Sequence, residues 1–219
     1  MSKGKQPMLN LIGISGKIGS GKDTTAELIQ LVTIYGLNHM EEVRNYAPRL
    51  LESKELKDFT FQNSNWKIVK YAYKLKQIAS LLSGIPIENF ESQEFKKTLM
   101  SPEWSNPEKG DITVREFLQT LGTNALRDQV HEDVWINALF SDFDGSKNWL
   151  ITDVRFPNEA EAIKKKGGIV VRIDRGLSTG DHPSETALDD YEFDYVIPNK
   201  GSLEELLEEI VKFVNHYSL

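Results

Sequence analysis

Apolar residues recur along the chain in two periods, and the alternation between them sets the expected order of elements. Leu9 to Ser15 is a short apolar run broken by glycine, the form of a buried strand, and from Thr24 to Tyr35 the positions Ala26, Ile29, Leu31 and Ile34 follow helical spacing. The opening is therefore strand, loop, helix. From Gly36 to Asn65 the pattern weakens: Asn45, Pro48 and the polar "QNSN" at Gln62 to Asn65 interrupt it, leaving only a partial helix over about Arg49 to Lys57. Lys67 to Tyr71 predicts a second strand, followed by a helix from about Tyr73 to Leu82 that Gly84 and Pro86 terminate.

Helical segments are expected at Ile87 to Leu99, Val114 to Gln129 and Asp133 to Phe143, with the turn-rich "SPEWSNPEKGD" between the first two. Their mixed polarity predicts a mobile helical cover and not a central core. Regularity returns with Trp149 to Thr152 and Ile169 to Ile173, continuous apolar runs rich in β-branched residues that suit strands buried on both faces. Asn158 to Lys166 reads as the helix between them, Tyr195 to Ile197 as a last strand, and Ser202 to Asn215 as a last helix with Ser202 and Glu205 in capping-box spacing. Strands alternating with helices predict an α/β fold built on a mostly parallel sheet.

A chain of 219 residues suits one domain with a sizeable core. No apolar stretch approaches the roughly 18 residues of a membrane span, and the basic start runs too quickly into glycines to read as a signal peptide. With no cysteine there are neither disulfides nor thiolate metal sites, which fits a cytoplasmic protein. The net charge of -7 disfavours a broad surface for nucleic acid polymers but leaves room for a small phosphorylated ligand in a local basic pocket. A homodimer is compatible with all of this.

The chemistry concentrates in "GISGKIGSGKDTT", Gly13 to Thr25. Gly16, Gly21 and Lys22 match G-x-x-x-x-G-K, a loop whose glycines turn backbone N–H groups around phosphate oxygens while the lysine bridges the terminal phosphates. Asp23 stands where a hydroxyl normally binds magnesium. Two roles are open for it: a metal ligand, directly or through water, or an acid favoured by the first turn of a helix. Thr24 offers the nearest hydroxyl to an inner phosphate. A second signal is "NWLITDVRFPNEAEA", where an apolar strand ends in Asp153, the usual acidic partner of such a loop. No glutamate follows Asp153, which favours transfer to a bound acceptor over hydrolysis.

These segments, "SGKDTTA" at Ser20 to Ala26, "LQTLGT" at Leu118 to Thr123, the Trp135 segment, "DVRFPNEAEA" at Asp153 to Ala162, "HPSE" at His182 to Glu185 and "NKGSLEEL" at Asn199 to Leu206, resemble the deoxynucleoside monophosphate kinases of tailed bacteriophages. The resemblance covers about the first 30 residues and nearly everything after Val114. Aspartate in place of the loop hydroxyl is usual in that family. The resemblance implies a P-loop kinase with a five-stranded sheet, a single domain over 1–219 and a helical acceptor-binding insertion at about 84–145. It also implies transfer of the γ-phosphoryl of ATP, with Mg2+, to a (deoxy)nucleoside 5'-monophosphate; a kinase of another small acceptor, or a non-catalytic nucleotide-binding module, is the alternative.

On that basis the catalytic set is Lys22, Asp153, Arg155 and Arg175, with Asp23 and Asp153 toward the metal. ATP contacts are expected from Gly16, Lys17, Ile18, Gly19, Ser20, Gly21, Lys22, Asp23 and Thr24, and from the turn at Asn199 and Gly201. Acceptor contacts are expected from Gln119, Thr123, Arg127 and His182. The polar "RGLSTGDHPSE" is expected to act as a lid, with Ser184 and Glu185 simply beginning a short helix, and Leu118, Leu121 and Trp135 to serve as core.

Overall fold

The computed structural model describes residues 9–105, 110–177 and 183–219. The chain divides into two compact units, 1–69 with 144–219, and 70–143. The first holds a five-stranded sheet of order β2-β3-β1-β4-β5, built from β1 (Leu11–Ser15), β2 (Trp66–Val69), β3 (Asn148–Val154), β4 (Ile169–Asp174) and β5 (Tyr195–Pro198). Every neighbouring pair is parallel. This is the sheet the apolar runs predict, and all of β1 is buried between β3 and β4.

Helix α1 (Lys22–Tyr35) follows β1 directly and packs Ala26, Leu28, Ile29 and Val32 into the core, each at most 1% exposed. Its one buried amide, Gln30, donates to Trp66 O at 2.6 Å and so fixes α1 to the start of β2 without leaving a polar group unsatisfied. The weak stretch after Gly36 forms two full helices, α2 (Met40–Glu52) and α3 (Lys54–Asn63), where only a partial one is expected. Pro48 lies inside α2, yet Val43, Ala47 and Leu50 form a buried stripe at helical spacing that packs into the same core. Tertiary burial outweighs the backbone hydrogen bond that proline removes. Ser53 separates the helices and caps α3, its Oγ accepting from Leu56 N.

The second unit begins with α4 (Tyr71–Ser83), closed by Gly84 in the left-handed conformation as the sequence predicts. Ile87 to Leu99 is not the expected helix but a pair of 3-10 turns, Ile87–Glu91 and Phe95–Lys97. Ser92 interrupts it: its backbone is extended and its Oγ accepts from Phe95 N, a local bond that competes with helix continuation. Next come α5 (Val114–Gln119), a π-helical stretch at Thr120–Arg127, and α6 (Val134–Phe140). Far from being a mere cover, this unit has its own core of Ala79, Phe90, Met100, Val114, Phe117 and Leu118. Trp135 is 6% exposed and donates from Nε1 to Gly122 O, so Leu118 and Trp135 are core residues as expected, with Leu121 packed at the margin.

Back in the first unit, α7 (Pro157–Lys165) joins β3 to β4, a short helix α8 (Pro183–Thr186) precedes β5, and α9 (Leu203–Tyr217) closes the chain. The capping box of α9 is formed: Glu205 N donates to Ser202 Oγ and Ser202 N to Glu205 Oε2. Among the described residues no helix is long and apolar enough to cross a membrane.

Candidate active site

The loop between β1 and α1 leaves the C-terminal edge of the sheet at its central strand, where α/β folds bind ligands. Its tight path explains two glycines. A Cβ on Gly16 would stand 2.8 Å from Ile173 O, and Gly21 has φ +93 with Asn199 Nδ2 only 2.6 Å from where its Cβ would be. Asn199, 9% exposed, donates through that amide to Ser20 O at 2.8 Å, so the turn after β5 braces the phosphate loop from beneath. Gly201 has a different reason: a Cβ there would collide with the carboxylate of Glu205.

Lys22 curls back along the loop, donating to Gly16 O at 2.7 Å and Lys17 O at 2.9 Å. Burial, and next the guanidinium of Arg155, pull its amine down to about 8, against the opposing pull of Glu185, Asp23 and Asp153. That set of charges brings Lys22 together with Asp23, Asp153 and Arg155, all named from the sequence. Thr152 Oγ1 donates to Asp23 Oδ1 at 2.7 Å, so the acid at the hydroxyl position is tied to the residue just before Asp153. The register between β1 and β3 shifts here: Gly13 faces Ile151 and Ser15 faces Val154. Thr152 and Asp153 therefore stand opposite Ile14 alone, the kind of bulge that re-aims side chains beside a site.

Arg155 begins the turn out of β3. Glu159, 4% exposed, accepts from Arg155 N at 2.8 Å and Phe156 N at 3.1 Å, fixing the backbone, while the guanidinium Nη1 donates to Glu185 Oε1 at 2.6 Å. Arg175, just past β4, donates from Nη1 to Gly19 O at 3.1 Å. The side chain of Lys17 is turned to Asp189 at 2.6 Å and to Glu185 O. Thr24 lies in the first turn of α1.

Gln119, Thr123 and Arg127 follow one another at four-residue spacing in the second unit, the first two exposed and the third half-buried. His182 and the middle of the expected lid fall outside the described residues. Glu159 is given no role by the sequence and Glu185 only the start of a helix, although "FPNE" carries a helix-start signal that marks Glu159. The second unit also holds a cationic group that no sequence motif marks. There Lys96 is held below the usual lysine range by burial and then by Lys76, with Arg115 and Lys70 adding to the effect and Glu91 opposing it; Lys76, 9% exposed at its side chain, pairs with Glu91 at 2.6 Å.

A parallel sheet whose central strand delivers a lysine-bearing phosphate loop, faced by an acid at the end of the adjoining strand, defines a nucleotide-binding phosphotransferase. Residues 50–210 match the family "Deoxynucleotide monophosphate kinase", and the chain belongs to that family. A protein of Acanthamoeba polyphaga mimivirus is 28% identical over 229 residues, covering 95% of this chain and 97% of its own. The deoxynucleoside-5'-monophosphate kinase of Escherichia phage T5 is 26% identical over 218 residues, covering 81% and 84%. Among solved structures, a dephospho-CoA kinase from Campylobacter jejuni aligns over 96% of this chain and 98% of its own, with 16% identity and a TM-score of 0.41.

Proposed function

We propose that this chain transfers the γ-phosphoryl of ATP to the 5'-phosphate of a deoxynucleoside monophosphate. The observation that carries the reading is Lys22 in its glycine loop, gathered with Asp23, Asp153 and Arg155 at the centre of the sheet edge. The loop N–H groups and the start of α1 hold the β- and γ-phosphates, and Lys22 releases its carbonyl contacts to bridge them. Arg155 and Arg175 lay further positive charge along the transferring group. An oxygen of the acceptor phosphate attacks the γ-phosphorus in line, and the bond to the bridging oxygen of ADP breaks. No general base is required, because the acceptor phosphate, with its second pKa about 6, is already ionised near neutral pH.

Asp23 and Asp153 are hard oxygen donors that both act on the charge of Lys22, which suits magnesium, an ion that takes one or two carboxylates and completes its shell with phosphate oxygens and water. When bound it would neutralise charge on the β- and γ-oxygens. We assign acceptor contacts to the second unit through Gln119, Thr123 and Arg127, and place the reaction in the cytoplasm, where both nucleotides are available.

The test is ADP formation from ATP and magnesium over a panel of deoxy- and ribonucleoside monophosphates. Turnover that depends on a deoxynucleoside monophosphate is the expected result; none with any member of the panel overturns the assignment. Turnover confined to dephospho-coenzyme A or an alcohol acceptor would move the chain to another branch of the P-loop kinases.

A further inference from the structure

Glu185 does more than begin a helix. Its side chain is only 6% exposed, and both carboxylate oxygens are engaged: Oε1 accepts from Arg155 Nη1 at 2.6 Å and Oε2 accepts from Ile18 N at 2.8 Å. Its main-chain oxygen accepts from Lys17 Nζ, which also grips Asp189 at 2.6 and 2.8 Å, and Asp189 in turn accepts from Arg172 Nη2 at 3.2 Å. Residues 185–189 are thus stapled to the first half of the phosphate loop at several points. A buried carboxylate is tolerated only when paired and hydrogen-bonded, and this one is bound both to the loop and to an arginine at the reacting edge.

We propose that Glu185 is the positioning residue of Arg155, clamping its guanidinium to the phosphate loop so that it meets the transferring phosphoryl in one fixed place. This rests on the reading that the loop holds ATP. Glu185 does not itself recognise the substrate, since an anion would repel phosphate; it acts through Arg155. The arginine side chain is about one-third exposed at 37%, and a long side chain with that freedom would otherwise sample many rotamers. Ile18 lies early in the loop, which leaves the later N–H groups toward Lys22 for phosphate oxygens. The clamp is therefore compatible with a bound nucleotide. Glu159 fixes the arginine's backbone and Glu185 its far end, so that both ends of the side chain are held.

The test compares Glu185→Gln, Arg155→Ala and the double variant in steady-state transfer, together with binding of a fluorescent ADP analogue. For Glu185→Gln the expected loss is in kcat, up to about 100-fold as for a reacting group displaced by an ångström, with ADP affinity changed by less than about threefold. The double variant should be no slower than Arg155→Ala alone, because the glutamate has nothing left to position. Wild-type kcat in Glu185→Gln, or losses that multiply in the double variant, overturn the proposal. If Glu185→Gln loses ADP binding altogether, Glu185→Asp, which keeps the charge one methylene short, decides: restored binding with kcat still low supports positioning, and restored kcat overturns it. Absence of transfer by the wild-type chain, seen in the same assay, would instead remove the kinase reading and this inference with it.

Discussion

Lys22 sets the charge balance of the site. Its amine titrates at about 8 because burial and Arg155 disfavour the ammonium. On the proposed reading polyphosphate favours that ammonium, so ATP binding above pH 8 should draw a proton onto Lys22, with affinity falling as pH rises through this range. Calorimetry in buffers of different ionisation enthalpy should show proton uptake near pH 8.5 and far less near pH 7.5, with the difference absent in Lys22→Met. The same variant should lose transfer by more than about 100-fold while remaining folded, since one preorganised charge or donor commonly contributes that much. Asn199→Ala removes the amide under Ser20 O and should weaken ATP binding by about tenfold, in line with a buried carbonyl losing its partner, with kcat much less affected. The gathering of Lys22, Asp153 and Arg155 is legible in the sequence because each sits at a fixed place in a short local pattern. Glu185 is not, because its partners lie 30 and 167 positions away in the chain.

Among the elements, the strands were the most legible. A strand buried on both faces must be apolar throughout, and nothing in a loop imitates that. Helices α2 and α3 were not, because local signals argue against them: Pro48 interrupts the ladder and the polar residues dilute the pattern, while the decisive term is packing against α1, a partner distant from the local pattern. Leu50 lies in that packing and is fully buried, so Leu50→Ala should destabilise the fold by about 2–5 kcal/mol in denaturant titration, leaving the ATP KM of the folded fraction unchanged. Ser202→Ala removes only the cap of α9 and should lose about 1 kcal/mol. Equal losses from the two substitutions would show that α2 adds little to the core.

At the scale of the molecule, a net charge of -7 coexists with cations gathered along the phosphate loop, Lys22 near Arg155 and Arg175 bonded to Gly19 O, which on the proposed reading is where a small polyphosphate is drawn. Because that site belongs to the larger unit and joins β1, β3, β4 and the turn after β5, ligand binding is coupled to the integrity of the sheet. ATP at about 100 times its dissociation constant should contribute about 2.7 kcal/mol and raise the unfolding midpoint by roughly 5–10 °C, measurable by calorimetry. Composition and alternation foretold the class of fold. They did not foretell that 70–143 would be a unit with a core of its own, because its apolar residues are spread over short turns and broken helices.

The burial of β1 between two parallel neighbours has a consequence for exchange with deuterium. Its amides can open only when the middle of the sheet does, so they report the free energy of unfolding the unit as a whole. The loop amides that follow, from Gly19 to Lys22, lie outside that sheet, and on the proposed reading their exchange should slow once ATP binds. Within about ten residues the chain thus carries one probe of global stability and another of ligand occupancy.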